Sequence, residues 1–187
     1  MQTKRRAQLS LARRKRLLIR FSSVFERGTV CGYVLDIGQQ FFLLALLSDG
    51  LRFNGFECFR LSDVRKLRVP DKYASFHEAV LRKRRERVPS RHSVVVTSLP
   101  KLLLSANRAF PLVTIHLEKA KPEVCFIGRV VDVRNGRVIL HEIGPGADWD
   151  DQLETYRLSE ITRVDFGGDY EEALHLIGGR PTALKSQ

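Results

Sequence analysis

Cysteine is scarce in this chain: its 187 residues include only Cys31, Cys58 and Cys125, and no two of them stand in a C-x-x-C pair. An odd number of cysteines without paired spacing excludes a disulfide framework and the ligand set of a zinc finger. We therefore expect three free thiols in a reducing compartment, the cytoplasm, with no metal site and no other cofactor.

The chain also lacks long apolar runs and the sequence signatures of catalysis. No stretch approaches the roughly 18 consecutive apolar residues that a membrane-spanning helix needs, so we expect no membrane association. No P-loop, dinucleotide-binding fingerprint or nucleophile elbow is present. The sequence thus predicts no enzyme activity and no catalytic residue.

The residues that most resemble metal ligands have simpler interpretations. His116 and His141 lie on predicted strands without a second ligand at metal spacing, which favours structural histidines. Four acidic residues lie close together at positions 148–154 but lack the residue order of a calcium-binding loop. A solvated acidic loop is the expectation there.

Acidic residues are scarce in the first two thirds of the chain. Residues 1–120 contain 24 Lys and Arg against nine Asp and Glu, whereas residues 121–187 contain eight against 12, for a total net charge of +11. Clustered positive charge favours a polyanionic partner such as RNA. The predicted contact residues form two clusters, which are Arg13, Arg14, Lys15 and Arg16, and Arg82, Lys83, Arg84, Arg85 and Arg87. Long cationic side chains of this kind contact phosphates.

An internal repeat is the strongest pattern in the sequence. Residues 17–55 align with residues 113–151 without a gap, and the alignment continues after one inserted residue. Gly32, Val34 and Asp36 thereby match Gly128, Val130 and Asp132, and the segment from Arg60 to Asp63 matches that from Arg157 to Glu160. A repeat of this length indicates one structural unit built twice.

Each copy predicts five short strands followed by a helix. The first strand of each copy alternates apolar and polar residues, and the second is apolar on both faces. Asn135-Gly136 between apolar runs predicts a tight hairpin, and Asp36 and Asp132 are expected to accept backbone amides beside their turns. Ser75 with Glu78, and Asp169 with Glu172, predict capping boxes at the starts of the helices.

These patterns give five segments. They are a basic N-terminal helix or arm at 1–16, a first repeat with its helix at 17–86, a linker at 87–97, a second repeat with flanking helices at 98–180, and a tail at 181–187.

A family resemblance rests on the second copy. The segments Cys125-Phe-Ile-Gly-Arg-Val-Val and Tyr156-Arg-Leu-Ser-Glu-Ile-Thr-Arg-Val-Asp-Phe-Gly-Gly-Asp are similar to uncharacterised bacterial proteins with tandem Sm-like repeats, which are SH3-type barrels. The resemblance implies a mainly β fold with short helices (α+β) that contains two tandem five-stranded barrels. The RNA-contacting loop of Sm proteins is replaced here by Asp36-Ile-Gly-Gln and Asp132-Val-Arg-Asn, so the resemblance does not supply an RNA site.

Two functional hypotheses follow. The first is a non-enzymatic module that binds RNA or another polyanion through the basic N-terminal half of the chain. The alternative is a protein–protein interaction or assembly module, with a protein partner or a homo-oligomer formed by pairing of edge strands. An exposed surface that combines aromatic and arginine side chains would favour the first hypothesis.

Overall fold

The structure is a computed structural model, and it describes residues 2–25, 28–91 and 93–181. The chain divides into two compact units. The first contains the residues before 92 together with Val96–Ser98, and the second contains Ser93–Val95 together with the residues from Leu99 onward. Nearly all of the predicted tail, from residue 182 onward, lies outside the described residues.

The first unit consists of two helices and five antiparallel strands. In chain order they are α1 (Gln2–Lys15), β1 (Leu18–Ser23), β2 (Val30–Ile37), β3 (Phe41–Leu47), β4 (Phe53–Arg60), β5 (Val64–Arg68) and α2 (Ala74–Lys83). The strands lie in the order β5-β1-β2-β3-β4.

The second unit has the same composition. Its elements are α3 (Leu99–Ala109), β6 (Val113–His116), β7 (Cys125–Arg134), β8 (Arg137–Ile143), β9 (Trp149–Arg157), β10 (Arg163–Phe166) and α4 (Asp169–Gly178). The strand order β10-β6-β7-β8-β9 is that of the first unit, so both copies of the sequence build the same arrangement of strands.

The prediction of two closed five-stranded barrels is wrong. The ten strands form open antiparallel sheet structure, and within each unit the strands at the two ends of the order, β5 and β4 or β10 and β9, are not neighbours. Closure requires these end strands to meet, which depends on strand tilt and stagger across the whole sheet. The molecule is mainly β, as expected, but it lacks the Sm-like closure among the residues that the structure describes.

Both faces of the first unit's sheet are buried, which suits an open sheet better than a small barrel with one interior. On one face, Leu9 and Ala12 of α1 pack in a core cluster with Ile19 and Phe21. On the other face, Leu81 of α2 packs with residues that include Leu18, Cys31 and Tyr33. Since successive strand residues point to opposite faces, α1 and α2 cover opposite sides of the sheet.

The repeated Gly-x-Val-x-Asp motif lies at a β-bulge in each unit. The strand register shifts between Val34 and Asp36, and again between Val130 and Asp132. At both bulges the aspartate accepts a hydrogen bond from the next backbone amide, over 2.9 Å from Ile37 and 2.7 Å from Val133. The predicted structural role of the two aspartates is confirmed.

The Asn-Gly hairpin is also confirmed. Asn135 and Gly136 have φ values of 51° and 71°, and the flanking Arg134 and Arg137 pair directly across the hairpin. Positive φ at both central residues matches the right-handed twist of the strands that the turn connects.

The predicted capping boxes are wrong. The N-cap of α2 is Tyr73 and that of α4 is Gly168, and neither makes a side-chain capping bond. Glu78, which was expected to bond back to the start of α2, instead lies 3.4 Å from the Tyr33 hydroxyl, which donates to it. A tertiary contact with the sheet therefore takes the place of the local cap.

Most of the acidic residues at positions 148–154 lie on a strand and not in the expected loop, because β9 already begins at Trp149. Asp150, Asp151 and Glu154 lie on β9, at the end of the strand order, and their side chains are exposed. Charged residues on an edge strand disfavour pairing with another chain.

Of the helices that the structure describes, none combines the length and the apolar character that crossing a bilayer requires.

Candidate nucleic-acid interface

Helix α1 is basic and free of acidic residues. Its sequence is QTKRRAQLSLARRK, and it buries Leu9 and Ala12 in the core of the first unit. Arg13, Arg14 and Lys15 are exposed in its last turn, where cations also stabilise the C-terminal end of the helix dipole. The apolar stripe of the helix thus leaves most of its cations at the surface.

A basic groove runs along this helix. It has a volume of about 370 Å³ and is lined by Arg6, Ser10, Arg13, Arg14 and Ile37. Arg6 donates to the carbonyl of Gly38 over 2.6 Å, which fixes its guanidinium beside the turn after β2. Three guanidinium groups at one groove form a surface suited to phosphate.

Asp36 partly neutralises the groove. Arg13 lies 3.1 Å from Asp36 Oδ1, and Arg91, from the predicted linker, donates to Asp36 Oδ2. Arg14 makes no ion pair within the described part of the chain. Arg6 and Arg91 were missed by the sequence analysis, because only folding brings them to the same turn.

The second predicted cluster lies at the end of α2 and just beyond it. Arg82, Lys83, Arg85 and Arg87 are exposed and form no ion pairs with described residues. Arg84 differs, because its guanidinium donates to the carbonyls of Gly50 and Leu51 and so holds the loop between β3 and β4. We therefore assign Arg84 a structural role in addition to its charge.

The two predicted clusters do not form one site. Helix α1 packs on one face of the first unit's sheet and α2 on the other. The structure thus places the predicted contact residues on two separate surfaces. The α1 groove is lined by Arg6, Arg13 and Arg14, and the α2 surface is formed by Arg82, Lys83, Arg85 and Arg87.

The α2 surface adds exposed aromatic side chains to its cations. Phe76 is 62% exposed and Tyr73 is 52% exposed, and Lys72 Nζ lies 4.4 Å from the centre of the Tyr73 ring. Phe76 and Lys83 are seven residues apart and therefore lie on the same side of the helix. Aromatic rings beside cations are the combination that binds single-stranded nucleic acid.

Four other phenylalanine rings of the first unit are not available for stacking on bases. Phe41, Phe56 and Phe59 are at most 4% exposed, and Phe53 is partly buried in the core. Core packing accounts for all four. Phe76, the exposed ring on α2, lies in the first turn of the helix, where the sequence predicted only a capping box.

A second basic concavity occurs in the second unit. It has a volume of about 610 Å³, and its polar lining consists of Asn107, Arg108, Arg129, His175 and Arg180. None of the described residues that line it is acidic. Because Arg108, Arg129 and Arg180 lie far apart in the sequence, no run of charge pointed to them.

The histidines on strands have structural partners. His116 Nε2 lies 2.7 Å from Asp165 Oδ2, and His141 Nε2 lies 2.8 Å from the carbonyl of Asp150. Burial raises the pKa of the Cys31 thiol to about 11, which keeps the thiol protonated and a poor nucleophile near neutral pH. The two histidines therefore hold the fold through hydrogen bonds, as the sequence predicted.

Asp71 and His77, which the sequence analysis overlooked, are buried beside Cys31. The donor atoms of these three residues lie within 4.8 Å of one another, the one such grouping with metal-ligand spacing in residues 2–25, 28–91 and 93–181. The three come from distant parts of the sequence, so spacing along the chain gave no signal.

No protein-family model, curated protein or solved structure matches this chain.

Proposed function

We propose that this chain is a non-enzymatic protein that binds single-stranded RNA through the α2 surface, with the α1 groove as an additional phosphate contact. The observation that carries the proposal is the exposed Phe76 ring, which lies on the same side of α2 as the exposed Lys83, two turns along the helix. Polyanions without bases need only cations, whereas an exposed aromatic ring gains affinity by stacking on bases. The free cysteines, two of them buried, suit a reducing cytoplasm.

The charge contribution is tested by salt dependence. Neutralising phosphates releases counterions, so the logarithm of the association constant should fall linearly with the logarithm of salt concentration, by about 0.7 per phosphate contacted on a single strand. Fluorescence anisotropy with a labelled RNA oligonucleotide of mixed sequence measures this slope. The variant with Arg82, Lys83, Arg85 and Arg87 all replaced by alanine should bind more weakly and show a shallower slope.

A matched control removes the same charge elsewhere. Replacing Lys119, Lys121, Arg134 and Arg137 in the second unit by alanine should leave most of the affinity intact. Equal losses in the two quadruple variants, or no RNA binding by the parent at low salt, would contradict the proposal. Loss of binding only when Arg108 and Arg180 are replaced would move the interface to the second unit.

The stacking contribution is tested at Phe76. Replacing a base-stacking aromatic residue by alanine removes about 1–3 kcal/mol, so Phe76→Ala should weaken RNA binding by at least fivefold. Phe76→Tyr keeps a ring and should bind like the parent. Inorganic polyphosphate carries charge without bases, and its affinity should be the same for all three proteins. An RNA affinity unchanged by Phe76→Ala would reduce the proposal to general polyanion binding.

The alternative function, self-assembly or protein–protein interaction, is favoured by a different surface. Tyr170, Leu176 and Ile177 on α4 are 54%, 82% and 76% exposed. An exposed apolar helix face is typical of interaction sites. If copies of the chain associate through it, light scattering should show a concentration-dependent oligomer in the parent and a monomer in Leu176→Glu/Ile177→Glu. A monomeric parent at high concentration would exclude self-association.

A further inference from the structure

Cys31, Asp71 and His77 converge from three elements in the first unit. Cys31 lies on β2, Asp71 follows β5, and His77 lies on α2. All three are buried: Cys31 is 5% exposed, Asp71 2% and His77 7%. The site therefore lies beneath α2, within the folded unit and away from the exposed face of that helix.

Two of the three donor atoms make no hydrogen bond with a described residue and face each other at ion-pair distance. Asp71 Oδ2 and His77 Nδ1 are buried without a hydrogen bond from any described residue, and they lie 3.5 Å apart. A buried polar atom left unsatisfied destabilises a fold by about 1–3 kcal/mol, so such pairs need an explanation. A cation bound between the two atoms would satisfy both at once.

The separation of these atoms fits ligands of one metal ion. Zinc binds imidazole nitrogen and carboxylate oxygen at about 2.0–2.2 Å, and tetrahedral geometry then places two such ligand atoms about 3.3–3.6 Å apart. The distance between Asp71 Oδ2 and His77 Nδ1 falls in that interval. The Cys31 sulfur, a carboxylate oxygen of Asp71 and a ring nitrogen of His77 all lie within 4.8 Å of one another, so the thiol can complete three ligands with a small shift.

The rest of the Asp71 side chain is already held in place. Arg20 Nε donates to Asp71 Oδ1 over 3.1 Å, and the Asp71 amide donates to the carbonyl of Leu18 over 2.8 Å. Hydrogen bonds to the outer oxygen of a ligating carboxylate are typical of metal sites. Arg20 thus orients the carboxylate and leaves Oδ2 available.

We propose that Cys31 Sγ, Asp71 Oδ2 and His77 Nδ1 bind one Zn²⁺ ion, with the fourth tetrahedral position left to water. A thiolate with an imidazole and one carboxylate favours zinc, whereas Ca²⁺ and Mg²⁺ require mainly oxygen ligands. On binding, the thiol S–H bond breaks, a Zn–S bond forms and the proton leaves to solvent. The site is specific to the first unit, because Ile127 occupies the position of Cys31 in the second copy.

Cobalt substitution tests the proposal with a spectroscopic signal. Purified full-length protein, treated with chelator and titrated with Co²⁺, should bind one equivalent and develop thiolate-to-cobalt charge-transfer absorption with tetrahedral d–d bands. Zn²⁺ should displace the cobalt and abolish these bands. Absence of the charge-transfer absorption in the parent overturns the proposal without any variant.

Variants then identify the ligands. Cys31→Ser should abolish the charge-transfer absorption, and His77→Gln should weaken metal binding at least tenfold. Cys125→Ser, which removes the exposed thiol, and Cys58→Ser, which removes the other buried thiol, should retain the full signal. A signal that persists in Cys31→Ser or disappears in Cys125→Ser would refute the assignment.

Stability measurements guard against variants that fail to fold. Zn²⁺ in excess should raise the Tm of the parent by several degrees, since it binds only the native site, and should leave the Tm of His77→Gln unchanged. An equal rise in both proteins would show that the metal binds elsewhere.

Discussion

Arg20 on β1 and the buried Asp71 form an ion pair with 3.1 Å between Nε and Oδ1, and the Asp71 side chain is completely shielded from solvent. The repeat places His116 at the position of Arg20, and His116 in turn lies 2.7 Å from Asp165. In both units, therefore, the first strand supplies a nitrogen-bearing side chain to an aspartate near the end of the last strand. The two copies of the repeat carry different residues here, Arg20 and His116, but each of them pairs with an aspartate.

Replacing Arg20 by alanine should strongly destabilise the first unit. The change leaves the Asp71 carboxylate buried without its cation, and breaking such a pair costs about 3–5 kcal/mol. A quarter of the Arg20 side chain is exposed, which places the expected loss near 3 kcal/mol. Urea unfolding of the two proteins measures the difference. Arg68, exposed and opposite Arg20 in the register, is the control, and Arg68→Ala should change stability by less than about 0.5 kcal/mol.

Substitution of Gly32 and Gly128 should test how closely β2 approaches β3 and β7 approaches β8. A Cβ at Gly32 would lie 2.2 Å from the Ala45 carbonyl oxygen, and one at Gly128 would lie 2.0 Å from that of His141. Alanine at either site must displace backbone, at a cost of about 1–3 kcal/mol. Gly50→Ala, where the nearest atom is 3.7 Å away, should have little effect. Thermal denaturation that ranks all three variants alike would argue against this close packing.

The pH dependence of stability should include a contribution from Glu142. Burial raises the pKa of this carboxyl, and the hydrogen bond that Tyr156 donates offsets the increase only in part. The pKa of Glu142 is higher in the folded than in the unfolded protein, so protonation of this carboxyl stabilises the folded state. That stabilisation is complete below about pH 4 and is lost as the pH rises through the folded pKa.

Glu142→Gln keeps an acceptor for Tyr156 without the charge. We expect its Tm relative to the parent to increase between pH 4 and pH 7. Glu172→Gln, at an exposed position, is the matched control and should show no such trend. A difference between Glu142→Gln and the parent that stays constant with pH would show that the carboxyl titrates normally.

Thiol labelling should separate the three cysteines. Cys125 is exposed, whereas Cys31 and Cys58 are buried, and burial raises the pKa of Cys31 to about 11. Brief treatment of the native protein with iodoacetamide should therefore give one adduct, located at Cys125 by peptide mass spectrometry. Denaturant should expose all three thiols. Native labelling of Cys31 as fast as Cys125 would contradict the burial on which the zinc proposal also depends.

The sequence by itself determined the features that depend on neighbouring residues or on the repeat. Asn135-Gly136 defined its hairpin, because only residues tolerant of positive φ can form so tight a turn. Asp36 and Asp132 bond the adjacent amide, a contact that their own backbone fixes. The alternation of apolar residues located the strands, and the repeat anticipated that both copies would share one strand order.

Only the tertiary structure decided how distant segments meet. The sheets remain open because closure depends on end strands far apart in the sequence, and no local pattern records whether those strands pair. Glu78 contacts Tyr33 in place of the helix start, since a contact formed across the fold overrides a weak local cap. Cys31, Asp71 and His77 share one buried space for the same reason: the packing of α2 against the sheet unites residues that sequence spacing keeps apart.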